Sequence, residues 1–248
     1  METFLILIIF IMGTFFGSFF TLAVYRIPLK KDITHERSFC PNCNHRLEAL
    51  DLIPVWSYIF LGGKCRYCGQ KIRIRYLLLE VLSGIVFVTA FLSFRITILD
   101  LSRLANFVFF VFVYTTLVLI AGIDKEYKKI NQPVLIFGLV TNIIYILYLY
   151  IVDTPNIHRY SIYTIIFIIT LITNAIIQKK HENYNFELIT LLTYILCSTG
   201  EISAIIILVV EIIHQLITKT KKFKIPNPGF IACIFTICYK IVENYILF

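Results

Sequence analysis

Charged residues make up only 15% of this 248-residue chain, while hydrophobic ones reach 58%. Mean hydropathy is +0.82. So little polarity excludes an ordinary soluble domain and leaves the bilayer as the main solvent. Alternation of apolar and polar residues is also missing, which excludes a membrane β-barrel and leaves helices as the spanning elements. The first apolar run, Leu5 to Val24, has no basic flank ahead of it and no small-residue cleavage site behind it. It therefore reads as a retained helix rather than a signal peptide.

What the chain does have is a series of apolar runs, at 3–25, 77–94, 104–123, 133–151, 160–178, 186–200, 202–218 and 228–247. About 20 helical residues cross a hydrocarbon core of roughly 30 Å. The expected fold class is an all-α polytopic membrane protein of about eight transmembrane helices. Its expected parts are a first transmembrane helix over 1–25, a polar loop over 26–76 and a membrane-embedded helical domain over 77–248. With the N-terminus outside, segments 26–76, 124–132, 179–186 and 219–227 face the cytoplasm; they hold 10, 3, 2 and 4 basic residues, 19 of the chain's 23. Cytoplasmic loops carry such an excess as a rule. The net charge of +8 is thus explained without nucleic acid, and none is expected as a partner; the lipid bilayer is.

The polar loop carries the sharpest signal. Cys40 and Cys43 form one Cys-x-x-Cys pair, Cys65 and Cys68 a second, with 21 residues between them. Two such turns supply four thiolates for closed tetrahedral coordination, a structural Zn²⁺ site. Pro41 lies in the first turn, and Gly62, Gly63 and Gly69 lie around the second. A reducing cytoplasm disfavours disulfides; unligated thiols or a redox pair are the alternatives. Cys197, Cys233 and Cys238 lie in apolar runs and read as packing residues.

The motifs around this loop resemble those of the bacterial prepilin peptidases, or type IV leader peptidases. Gly17-Ser18-Phe19-Phe20-Thr21-Leu22-Ala23-Val24-Tyr25-Arg26-Ile27-Pro28 is similar to the family's opening Gly-Ser-x-x-Asn-Val-x-x-x-Arg-x-Pro, with Thr21 where Asn is usual. Ser38 to Cys43, Ile53 to Tyr58, Gly63 to Cys68 and Ile74 to Glu80 continue the likeness. Ile225-Pro226-Asn227-Pro228-Gly229-Phe230 resembles the later Ile-Pro-x-x-Pro-Phe segment with its last residues offset. The likeness is dense over the first 80 residues and sparse beyond.

The resemblance implies a membrane aspartic protease that cleaves the basic leader of type IV prepilins or pseudopilins at the cytoplasmic face. It also implies possible N-methylation of the new N-terminus with S-adenosylmethionine. Two close carboxyl groups cannot both ionise cheaply, so one acts as acid while the other activates water. Asp124 fits the first position, ending an apolar run just before Lys125, Lys128 and Lys129; its other reading is an acidic helix end beside basic anchors. The family's Gly-x-Gly-Asp-x-Lys string is absent. Glu187 stands at the matching depth as the second carboxylate, or is an ordinary interfacial glutamate. Glu201 falls at the outer end of the same run, too far from Asp124.

Glu80, one turn into the second helix after Arg73 and Arg75, reads as snorkelling to an arginine. Glu211 and His214 share a helix face at i, i+3 and read as a mutually satisfied pair; a transporter built on them lacks the expected paired repeats and broken helices. Two functions remain: the peptidase, with Asp124 and Glu187 as its carboxylates, and a catalytically impaired relative acting as a membrane scaffold or prepilin-binding protein.

Overall fold

Gly13 and Gly17 stand one helical turn apart, and a side chain at either would collide with the neighbouring helix. In the computed structural model, which describes residues 2–96, 100–152, 157–178, 184–202, 204–206, 208–209 and 227–247, α1 runs from Glu2 to Arg26 and α3 from Arg75 to Ser93. A Cβ on Gly17 would sit 2.7 Å from the Glu80 Cα, and one on Gly13 would sit 2.7 Å from the Ser83 carbonyl oxygen. Gly84 in turn accepts the ring of Phe10. Small residues at this spacing let two membrane helices approach backbone to backbone where hydrophobicity cannot drive them together. Between the two helices, the loop carries one 3₁₀ turn, Ala49–Leu52, and the short helix α2, Trp56–Phe60.

Contacts divide the chain into two compact units, Met1–Thr97 and Ile98–Phe248. The helix Arg75–Ser93 packs on α1, so it groups with the polar loop and first helix rather than with the helices that follow.

The second unit is built on α4 (Leu101–Tyr127), α5 (Gln132–Ile151), α6 (Ile157–Gln178), α7 (Tyr184–Thr199) and α8 (Pro228–Leu247). Asp100 caps α4 by accepting the Arg103 amide at 3.2 Å, an ordinary N-cap role. Lys128 ends the helix in the left-handed region, at φ 55°. Gln132-Pro133 then opens α5, with proline in the first turn where its missing N–H costs nothing. α4 packs on α5 and α8, while α7 packs on α5, α6 and α8. α6 and α7 run antiparallel: Thr164 Oγ1 lies 3.0 Å from Cys197 Sγ, the rings of Phe167 and Tyr194 are 5.4 Å apart, and the hydroxyls of Thr170 and Thr193 lie 2.8 Å apart.

The architecture is all-α and multi-pass, with no strand among the described residues beyond two single-pair bridges in the loop. Among the described residues, five helices are long and apolar enough to cross a membrane. α7 has only 16 residues, short of a full crossing, because its helix ends at Gly200, whose φ is 96°. Most of the run at 202–218, with Glu211 and His214, lies outside the described residues, as do Ile225 and Pro226.

Replacing Gly17 with valine is expected to destabilise the first unit by about 1–3 kcal/mol, since backbone rather than a flexible side chain stands in the way. Thermal unfolding in detergent checks this. The same volume change at exposed Leu82 is expected to leave the melting temperature nearly unmoved.

Candidate functional site

The two cysteine turns are copies of one another. In the first, the Asn44 amide donates to the Cys40 carbonyl at 2.8 Å and the Cys40 amide to the His45 carbonyl at 3.0 Å. In the second, Gly69 donates to Cys65 at 3.0 Å and Cys65 to Gln70 at 2.8 Å. Each turn needs a left-handed residue after its second cysteine, supplied by Asn44 at φ 55° and Gly69 at φ 67°, the residue types that tolerate it best. Single bridges, Phe39 with Arg46 and Lys64 with Lys71, close the base of each turn.

The four sulfurs of Cys40, Cys43, Cys65 and Cys68 all lie within 4.8 Å of one another, and Cys40 and Cys68 are 3.9 Å apart. A tetrahedral site with metal–sulfur bonds of about 2.3 Å needs sulfurs roughly 3.8 Å apart. Backbone amides already face these sulfurs. The Cys43 amide holds the Cys40 thiol below its usual range, and the Gln70 amide, helped by the Asn42 side chain, brings Cys68 down to about 6. The His45 amide pulls on Cys43 as well, but burial and its hydrogen bonds to Cys40 and Cys68 push that thiol up to about 11. Four crowded sulfurs cannot all ionise without a cation among them, and this donor set fits a metal ion. Around it, Asp51 accepts from Arg66 Nε at 2.8 Å and from the Tyr67 hydroxyl at 3.1 Å, and His45 stacks on Tyr67.

Asp124 and Glu187 lie in the second unit, both buried, at 0% and 3% exposure. Asp124 sits in the last turn of α4 against the start of α8. Its Oδ2 accepts the Phe230 amide at 2.9 Å, one of the N–H groups that a helix leaves unpaired in its first turn. Gly229 makes the approach possible, because a Cβ there would stand 3.0 Å from Oδ2. The Asn227 side-chain amide donates to the Asp124 carbonyl, and Lys125 lies over the Phe230 ring.

Glu187 occupies the first turn of α7, where an acidic side chain meets the positive end of the helix dipole. Its Oε2 accepts the Ile130 amide at 2.8 Å, from the turn joining α4 to α5. Ile130 is itself fully buried and lies beside Gly229. Glu187 thus holds the turn after α4, while Asp124 and Ile130 both lie beside Gly229 at the start of α8. Glu201 is at the other end of α7, exposed, with Tyr163 and Arg159 as its partners.

Glu80 departs from expectation. Its Oε2 accepts the Val55 amide at 2.7 Å instead of reaching an arginine. Val55 stands at φ 65°, a costly conformation for a β-branched residue, and the carboxylate pins that turn to α3. Arg26, from the opening motif, is buried and donates to the Asp32, Glu36 and Arg37 carbonyls at 2.8, 2.9 and 3.3 Å. Motif reading marks its presence and not this task of folding the start of the loop. Of the remaining cysteines, Cys197 and Cys233 are buried but Cys238 is exposed.

Comparison with known proteins bears directly on the front of the chain. Residues 11–94 match the Bacterial Peptidase A24 N-terminal domain. The chain is also 36% identical over 132 residues to a prepilin leader peptidase/N-methyltransferase of Bacillus subtilis (strain 168), covering 53% of this chain and 50% of that protein. The protein of the same name from Dichelobacter nodosus is 31% identical over 166 residues, 53% of this chain and 55% of the relative. That from Myxococcus xanthus (strain DK1622) is 40% identical over 79 residues, 32% and 24%. The chain spans about half the length, or less, of the curated relatives it matches. No solved structure matches it. The resemblance to bacterial prepilin peptidases carried by the motifs holds.

Metal analysis of the purified protein is expected to find about one tightly held ion per chain. Cys65→Ser should lose it and open the segment between Ser38 and Ile72 to proteolysis, with the transmembrane helices intact.

Proposed function

We propose that the chain is a prepilin leader peptidase of the inner membrane. It cleaves the basic leader of type IV prepilins or pseudopilins at the cytoplasmic face, with its N-terminus outside and its cysteine loop inside. The observation that supports this reading is the pair of buried carboxylates, Asp124 on the Phe230 amide and Glu187 on the Ile130 amide, with Gly229 beside both Asp124 and Ile130. The names of the relatives supply the substrate class. The division of labour proposed is a first helix, a metal-stapled cytoplasmic loop and a membrane-embedded peptidase domain.

In this mechanism one carboxyl group keeps its proton while the other takes a proton from water. The water oxygen attacks the scissile carbonyl carbon directly. The protonated carboxyl then gives its proton to the leaving nitrogen as the carbon–nitrogen bond breaks, and no acyl-enzyme forms. The Phe230 and Ile130 amides hold one oxygen of each carboxylate in place, so neither has to be ordered at the moment of reaction. In this reading Glu187 takes the part of the family's second aspartate, and its longer side chain reaches the Ile130 amide.

Zinc is the metal that four thiolates favour, and Cys40, Cys43, Cys65 and Cys68 would hold it as a structural ion with no open position. Methylation of the new amino terminus with S-adenosylmethionine is a further activity that the relatives' names support.

Asp124→Asn and Glu187→Gln are each expected to slow cleavage of a purified prepilin by at least about a hundredfold, whereas Glu187→Asp should retain activity. Gly229→Ala, whose methyl would crowd Asp124, is expected to cost a few-fold to about tenfold. Wild-type rates in Glu187→Gln would remove Glu187 from the reaction. A wild-type chain that binds prepilin without cutting it would make the protein a scaffold instead.

A further inference from the structure

Among the buried polar atoms that no hydrogen bond satisfies in the described residues are those of three amide side chains on segments that adjoin the Glu187 region, Asn174, Asn131 and Gln132. Asn174 is 0% exposed, and both its Nδ2 and its Oδ1 are unpartnered. Asn131 Oδ1 and Gln132 Nε2 are buried in the same condition. Asn131 and Gln132 directly follow Ile130, whose amide is bonded to Glu187. The place of Asn174 follows from helix register. The contacts Thr164–Cys197, Phe167–Tyr194 and Thr170–Thr193 step in opposite directions along α6 and α7. One turn beyond Thr170 brings Asn174 to the first turn of α7, opposite Glu187 and Thr190.

Leaving an amide buried and unpaired is expensive, and an uncompensated polar group within a membrane protein marks a place where something else supplies the partner. The three side chains offer a donor, an acceptor and a group that is both, with no charge. That set complements the N–H and C=O of an extended peptide. A helical substrate must unwind where it is cut, and its freed main-chain groups then need hydrogen-bond partners.

We propose that Asn174, with Asn131 and Gln132, forms a subsite that binds the main chain of the substrate at the point of cleavage. The inference rests on the peptidase reading for its substrate. A neutral amide subsite reads backbone rather than side-chain charge, so it holds the segment in register whatever residues flank the cut.

The test compares stability with peptide binding in the full chain. The probe is a synthetic peptide with a basic leader and a prepilin-type apolar helix, and Asp124→Asn serves as the non-cleaving background. Asn174→Leu removes the unpaired amide while keeping the branched side-chain shape, so the melting temperature should stay level or rise. The Kd for the peptide should weaken about tenfold, the value of one lost hydrogen bond. In the otherwise wild-type chain the loss should fall on KM more than on kcat. Gln132→Met should shift Kd in the same direction. An unchanged Kd overturns the subsite, and so does a fall in melting temperature, which would show the amide bonded within the fold. Should the wild-type chain bind the peptide in an Asn174-dependent way without cutting it, the subsite stands and the peptidase reading falls. No binding at all removes the subsite.

Discussion

A buried carboxylate must be met by hydrogen-bond donors, and in this chain that requirement ties the second unit together. Asp124 is answered by the Phe230 amide at the head of α8, and Glu187 by the Ile130 amide in the turn between α4 and α5. Both donors are backbone groups that their own secondary structure leaves unpaired. Each carboxylate therefore completes a helix end or a turn while being held by it. The ends of α4, α5, α7 and α8 meet there because burying either acid elsewhere would leave an uncompensated charge among apolar side chains.

The first unit solves a different problem by different means. Gly13 and Gly17 let α1 and α3 touch through their backbones. The loop between them is too polar and too rich in turns to hold itself by a hydrophobic core. Three devices hold it instead: the four cysteines at its centre, Arg26 on the carbonyls of its opening turn, and Glu80 on the Val55 amide near its close. A small module stapled in this way needs little apolar burial of its own. The exposed side chains Trp56 and Phe60, stacked on each other, suit a module that stands beside a membrane surface.

Much of this could be read from residues alone. The cysteine spacing, the opening motif and the acid at the end of an apolar run beside three lysines each carry local meaning, and local meaning survives without coordinates. The helix boundaries separate Glu187 from Glu201, at opposite ends of α7, and those boundaries are legible from where the apolar run begins and ends. What could not be read involves distant partners. Nothing in the neighbourhood of Asp124 announces Phe230, 106 residues away, and nothing near Glu80 points to Val55. Hydropathy measures run composition and not helix length; α7 ends at 16 residues where Gly200 turns the chain. Asn174 carried a signal, a polar residue inside an apolar helix, whose meaning appears only when its neighbours fail to bond it.

The central claim is that Asp124 and Glu187 belong to one site. Paired cysteines at 124 and 187 in an otherwise cysteine-free chain, treated in native membranes with a short thiol cross-linker, test it most directly, with cysteines at 170 and 193 as the control pair. The account predicts that both pairs link within a single chain with similar ease. Efficient linkage of the control with none between 124 and 187 would contradict it.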